Sequence, residues 1–103
     1  MRFLLKVNIP VEAGNAAAKA GKLATRIQSI LADMKPEAAY FTANNGQRSG
    51  FIFLEMQDAS QIPAIAEPWF LAFNASIEMS PVMVPADLAK AGGAIEKAVK
   101  TYG

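Results

Sequence analysis

Strict alternation of apolar side chains near the start of the chain is the feature that most limits the fold. In residues 2–9, Phe3, Leu5, Val7 and Ile9 lie at every second position, between Leu4, Lys6 and Asn8. Successive side chains of a β-strand point to opposite faces, so this spacing predicts a strand with one apolar face and one mixed face. A strand of this kind must bury its apolar face against another element.

The next patterns predict a helix and a hairpin. From Asn15 to Met34 apolar residues recur at intervals of three and four, which predicts one long amphipathic helix capped by Asn15 and stopped by Pro36. The sequence predicts two strands, over residues 37–43 and 50–56. They are joined through Asn44-Asn45-Gly46, and Asn-Gly is a strong hairpin signal because both residues tolerate positive φ.

The second half of the chain adds a helix, a strand and a further helix. A helix opened by Asp58 or Ser60 should run to Asn74, with a kink at Pro68. Residues 76–82 alternate again, and Pro81 predicts an edge position or a bulge for this fourth strand. A last helix begins near Pro85, is weakened by two adjacent glycines, and carries one apolar stripe: Leu88, Ala91, Ile95, Ala98, Val99 and Tyr102.

The order strand, helix, strand, strand, helix, strand is that of the ferredoxin-like βαββαβ arrangement. We therefore predict an α+β fold with a four-stranded antiparallel sheet and a C-terminal helix, in a single domain over residues 1–103. Both central helices should cover one face of the sheet, which leaves the other face without a cover. With 52% hydrophobic and only 18% charged residues, the composition favours a homodimer over a monomer.

Missing residue types exclude several chemistries. The chain has no cysteine and no histidine, which removes disulfides, thiolate nucleophiles, histidine bases and the usual zinc and haem ligands. We predict no metal site and no cofactor. The net charge is +1 with scattered basic residues, which disfavours nucleic acid as a partner. No apolar run is long enough for a signal peptide core or a membrane span, so we expect a cytoplasmic protein without a membrane partner.

Two short segments carry a resemblance to a known group. The stretch from Ile62 to Phe70 reads IPAIAEPWF, and Ser80 to Met83 reads SPVM. With the element order, they resemble an uncharacterised family of small bacterial proteins in the dimeric α+β barrel superfamily, where two sheets meet face to face around a cavity. The resemblance implies a homodimer, and superfamily relatives include cofactor-independent monooxygenases, lactone isomerases, polyketide cyclases and haem enzymes. Without histidine, the haem and cyclase mechanisms do not carry over, whereas Asn8 and Trp69 are residue types of the monooxygenase pattern.

The uncovered sheet face supplies the candidate site. Strand alternation assigns ten residues to it: Leu4, Lys6, Asn8, Tyr40, Thr42, Phe51, Phe53, Glu55, Glu78 and Ser80. In a ferredoxin-like sheet Lys6 should then lie between Glu55 and Glu78, with aromatic walls beside it. Aromatic walls with a few converging polar groups are typical of small-ligand sites. We predict a small apolar or aromatic ligand, bound by Lys6, Asn8, Tyr40, Phe51, Phe53 and Trp69, with Glu55 and Glu78 as candidate proton acceptors.

Several alternatives stay open at this point. Lys6 and the glutamates can instead form ion pairs that fix the register of a dimer without any ligand. Trp69 can simply pack in the core, and Tyr40 can cross the dimer interface. Gly50-Phe51-Ile52-Phe53 resembles the aromatic strand of an RNA-recognition motif, although that motif's basic residue and the first strand's stacking ring are missing.

Overall fold

Four strands form one antiparallel sheet in the computed structural model, which describes residues 1–103. They are β1 (Arg2–Ile9), β2 (Ala38–Asn44), β3 (Gln47–Glu55) and β4 (Ser76–Pro81), in the spatial order β2-β3-β1-β4. The first strand is central and β4 lies at an edge, where Pro81 costs the sheet no internal hydrogen bond. This is the predicted ferredoxin-like α+β fold.

The hairpin between β2 and β3 turns at the predicted residues. Asn45 and Gly46 have φ values of 55° and 72°, and Asn44 pairs with Gln47 across the turn. Positive φ at both turn residues matches the twist of the flanking strands, which explains the Asn-Gly pair. The turn is therefore only two residues long, and β3 begins at Gln47, three residues before the predicted start.

The predicted single helix from Asn15 to Met34 is wrong, because the chain forms two helices there. They are α1 (Val11–Lys19) and α2 (Leu23–Met34), separated at Gly21, which has a φ of 71°. A glycine adopts this left-handed conformation without steric cost, and the Lys22 amide then donates to the Ala17 carbonyl oxygen at 2.8 Å, which closes the end of α1. The alanines that precede the break have only methyl side chains, which fit the apolar spacing of a continuous helix and do not show where it ends.

Asn15 is also not a helix cap. The first helix starts directly after Pro10, whose fixed φ suits a helix entry, so Asn15 lies in the middle of α1. Its side-chain oxygen instead accepts a hydrogen bond from Nη1 of Arg48 at 3.0 Å. Gly14 leaves room for that arginine, since a Cβ atom there would lie 2.6 Å from the same nitrogen.

The helix after β3 has a defined start and end. Asp58 caps a 3-10 turn (Ala59–Gln61) by accepting from the Ser60 amide at 2.8 Å, and the hydrogen bonds from Ser60 lower the pKa of this carboxyl. The helix α3 (Ile62–Phe73) then runs through Pro68 without interruption and ends at Asn74, which is left-handed. The proline removes one amide donor but does not end the helix.

The core lies between the sheet and the helices α1, α2 and α3. β1 and β3 contribute the alternating residues of one face, and α3 contributes a stripe that ends at Trp69 and Phe73, whose ring centroids are 6.2 Å apart. The largest fully buried side chains are those of Trp69, Phe73, Leu5, Ile52 and Val7. All three helices thus cover the same face of the sheet.

The end of the chain extends away from this core. Two short helices, α4 (Pro85–Lys90) and α5 (Gly92–Tyr102), replace the predicted single helix, with the break at Ala91 beside the glycine pair. We call residues 85–102 the C-terminal arm. It makes the molecule elongated, with principal extents of 58 × 28 × 20 Å. None of the helices in the structure has both the length and the apolar content to cross a membrane.

Candidate functional site

One face of the sheet has no helix over it, and we call it the open face. The pairing of the strands shows which side chains share it, because the residues that alternate with the core positions must point the other way. The open face holds all ten predicted residues and several that the sequence analysis did not include, among them Arg2 and Ser49. It is mixed in character, with aromatic, hydroxyl, amide and charged groups.

A row of four residues crosses the middle of the open face. Tyr40 is paired with Phe51, Phe51 with Lys6, and Lys6 with Glu78. Nζ of Lys6 lies 5.7 Å from the centroid of the Phe51 ring and 3.9 Å from a carboxylate oxygen of Glu78. The row therefore places an aromatic wall, a cation and a carboxylate side by side.

The second candidate carboxylate is not part of this row, which corrects the predicted position of Lys6 between two glutamates. Glu55 is paired with Arg2, four residues further along β3 than Phe51, or about 13 Å at the usual rise of a strand. Its side chain accepts from the Met1 amine at 2.8 Å. The prediction failed because β3 pairs with β1 in a register that puts Phe51, not Glu55, beside Lys6.

An amide and a hydroxyl interact at one end of the open face. The Ser49 hydroxyl donates to Oδ1 of Asn8 at 2.6 Å, and Ser49 is almost fully buried. This contact fixes the orientation of the Asn8 amide and leaves its NH2 group free to donate to another partner. Sequence reasoning missed Ser49 because it started β3 too late. The two-residue turn at Asn45-Gly46 was the signal that could have found it, since it sets Ser49 opposite Thr42.

The neighbouring row of the open face is more apolar. Phe53 pairs with Ala38 on one side and Leu4 on the other, and Leu4 pairs with Ser80 on the edge strand. Phe51 and Phe53 are two positions apart on β3, so their rings stand on the same face as neighbours. Together they form an aromatic surface next to Lys6.

Trp69 does not belong to the open face. It is 0% exposed and packs from α3 into the core, on the opposite side of the sheet from Asn8 and Lys6. The structure therefore does not bring Asn8 and Trp69 together as the monooxygenase resemblance implied. The indole Nε1 of Trp69 has no hydrogen-bond partner, which makes it a buried donor without an acceptor.

The charged groups at one end of the open face form ion pairs with each other. Nε of Arg2 donates to both carboxylate oxygens of Glu37, at 2.8 and 3.1 Å, and this pairing raises the pKa of the Arg2 guanidinium. A cleft of about 660 Å³ lies beside it, lined by Arg2, Glu55, Met83 and Asp87 among others. The C-terminal arm begins at this cleft. No cluster of three or more acidic side chains is arranged to hold a metal ion.

Comparisons with known proteins give a family for the sequence. The profile of a family described as "Domain of unknown function (DUF3303)" matches residues 1–96. No curated protein matches the sequence.

A solved structure with the same fold is 5-chloro-2-hydroxyhydroquinone dehydrochlorinase (TftG) from Burkholderia phenoliruptrix, in complex with 2,5-dihydroxybenzoquinone. It is 14% identical in sequence, with a TM-score of 0.62 over 84% of this chain and 97% of that chain. At this identity the likeness shows the fold alone. TftG is a ferredoxin-like dimeric α+β barrel, and this chain shares the ferredoxin-like α+β fold.

Proposed function

The chain belongs to the DUF3303 family, and we propose that it is a homodimer that binds a small aromatic metabolite between two open faces. The observation that carries this proposal is the row formed by Tyr40, Phe51, Lys6 and Glu78. It combines an aromatic wall with a cation and a carboxylate at contact distance, which is the usual composition of a small-ligand site.

Dimerisation is needed to turn this face into a pocket. In a single protomer the Tyr40 ring is 64% exposed and the Glu78 side chain 71% exposed. A second sheet stacked on the first, at a typical separation of about 10 Å, would enclose these groups. The enclosed space would have apolar walls from Phe51 and Phe53 and polar groups near its centre.

The residues also indicate the class of ligand. An aromatic ring can stack on Phe51 or Phe53, while an oxygen substituent can accept from Nζ of Lys6 or from the free NH2 group of Asn8. Glu78 is the candidate to accept a proton from a hydroxyl group of the ligand. The complex of TftG with 2,5-dihydroxybenzoquinone supports this choice, because it is a protein of the same fold with a small oxygenated ring. We therefore propose hydroxylated aromatic compounds or quinones.

Tyr40 and Phe41 give a matched test, because they are adjacent, aromatic and exposed but point to opposite faces of β2. We expect Tyr40→Ala to raise the dimer dissociation constant at least tenfold, since it removes a large exposed aromatic ring from the proposed interface. Sedimentation equilibrium measures this constant. Calorimetric titration with 2,5-dihydroxybenzoquinone should show binding to the wild-type dimer and none to Tyr40→Ala at the same concentration.

Phe41→Ala is the control, since Phe41 packs toward Gly50 on the helix side of the sheet. This variant should dimerise and bind the probe like the wild type. Equal weakening of the dimer by both variants contradicts the proposal, as does a wild-type protein that stays monomeric. A dimer that binds none of the hydroxylated aromatic probes supports the alternative of a structural dimer without ligand. Conversion of the probe supports the alternative of a cofactor-independent monooxygenase or an isomerase-type enzyme.

A further inference from the structure

The C-terminal arm exposes an apolar stripe that nothing in the protomer covers. Leu88, Ile95, Val99 and Tyr102 are 52%, 54%, 62% and 88% exposed. Every residue from 85 to 102 is exposed except Ala91, which is partly buried. A helix of 11 residues is marginal in water without tertiary packing, so α5 needs a surface to pack on.

The connection to the sheet directs the arm away from its own core. The Val82 amide donates to the Arg2 carbonyl oxygen at 3.0 Å, so the ladder between β1 and β4 continues past Pro81. Pro85 then starts α4, and the two prolines restrict the short connection between them. The resulting radius of gyration is 17.2 Å, against about 13 Å for a compact domain of this length.

By its outline, the open face alone is smaller than a standard dimer interface. Four strands at about 4.8 Å spacing and 20–27 Å length outline about 400–500 Å². A stable interface buries about 800 Å² on each partner. The arm, with 17 residues in helices, is about 26 Å long and presents a stripe about 10 Å wide, or roughly 260 Å² more. If the arm of each protomer packs on the other protomer, the two arms supply the missing buried area.

The position of the arm also favours the same partner. Its base lies at the cleft that Arg2, Glu55, Met83 and Asp87 line, which is one end of the open face. A second protomer stacked on that face would lie about 10 Å from the base of the arm, well within its length.

We infer that the C-terminal arm of each protomer packs through its apolar stripe onto the second copy of this chain and closes one end of the cavity between the open faces. The inference rests on the proposed function, because it requires a dimer formed through the open faces. It adds that the binding site is incomplete without the partner's arm.

Two double variants test the inference on the full-length chain. Ile95→Gln with Val99→Gln removes the apolar side chains from the stripe, and Glu96→Gln with Lys100→Gln is the control on the other side of α5. Both pairs are four residues apart, add two glutamines and leave the net charge unchanged, and the control pair makes only an exposed ion pair at 3.9 Å. We expect the stripe variant to raise the dimer dissociation constant at least tenfold and the control to change it less than threefold.

Hydrogen exchange of the arm amides provides the second measurement. In the wild type, protection of residues 92–102 should rise with protein concentration in parallel with dimer formation, and the stripe variant should lose it. Unchanged dimer affinity in the stripe variant, or arm protection in the monomer, overturns the inference. If Tyr40→Ala weakens the dimer and the stripe variant does not, the proposed function stands and only the role of the arm fails. A wild-type protein that stays monomeric contradicts both the proposed function and the inference about the arm.

Discussion

Trp69 shows how a single residue can combine a stabilising and a destabilising effect. Its ring is fully buried against Phe73, yet its Nε1 has no acceptor. Burying an aromatic side chain stabilises the fold by several kcal/mol, whereas an unpaired buried N–H group costs about 1–3 kcal/mol. The two effects oppose each other in the same side chain.

We therefore expect Trp69→Phe to change the free energy of unfolding by no more than about 1 kcal/mol, since the loss from the smaller ring is offset by removal of the unpaired donor. Trp69→Ala should cost about 3–5 kcal/mol. Urea denaturation measures both. The control is Phe73→Leu, which removes ring atoms from the same cluster without relieving a polar group and should cost about 1–2 kcal/mol. A loss above about 3 kcal/mol for Trp69→Phe would show that the indole nitrogen has a partner in solution.

At the level of the helices, two glycines serve opposite purposes. Gly21 separates α1 from α2 with a φ of 71°, whereas Gly93 lies inside α5 in a helical conformation. A Cβ atom at either position would meet no other atom within 4 Å. The two sites therefore differ only in backbone conformation.

Alanine substitutions at these two sites should act in opposite directions. Gly21→Ala should lower the free energy of unfolding by about 1–2 kcal/mol, because an L-residue is strained at positive φ. Gly93→Ala should instead raise the helicity of the arm, since alanine is a better helix former than glycine, by up to about 1 kcal/mol in this first turn of α5. Thermal unfolding and far-ultraviolet circular dichroism measure the two effects. Equal behaviour of the two variants would mean that α1 and α2 form one helix in solution.

These elements also show what the sequence could predict. Alternation in β1 and the Asn-Gly turn identified the sheet and its open face, because alternation is typical of a strand with two different faces and Asn-Gly of a hairpin turn. The break at Gly21 was not predictable from periodicity, since alanines precede it and the apolar spacing continues beyond it. The register of β1 with β3 decides whether Lys6 meets Phe51 or Glu55. Alternation cannot make that choice, because Phe51 and Glu55 both point to the open face.

At the scale of the whole molecule, the charge on the open face determines whether two copies can associate through it. The open face carries Arg2 and Lys6 against Glu55 and Glu78, so its formal charge is zero. Two such faces can approach without net repulsion. The Lys6–Glu78 pair is long, at 3.9 Å, and largely exposed, and such pairs contribute about 0–1 kcal/mol. The proposed interface should therefore be held mainly by apolar and aromatic contacts.

Salt dependence separates this kind of dimer from one whose register is fixed by ion pairs. Between 0.1 and 1 M NaCl the Debye length falls from about 10 to 3 Å, which screens exposed charges but not apolar contacts. We expect the wild-type dissociation constant, measured by sedimentation equilibrium, to change less than threefold over this range. Glu78→Gln leaves one uncompensated positive charge on each face, so this variant should dimerise severalfold more weakly at low salt and recover at high salt. A wild-type dimer that weakens tenfold or more in 1 M NaCl would instead indicate that Lys6 and the glutamates pair across the interface, because only such contacts are lost by screening.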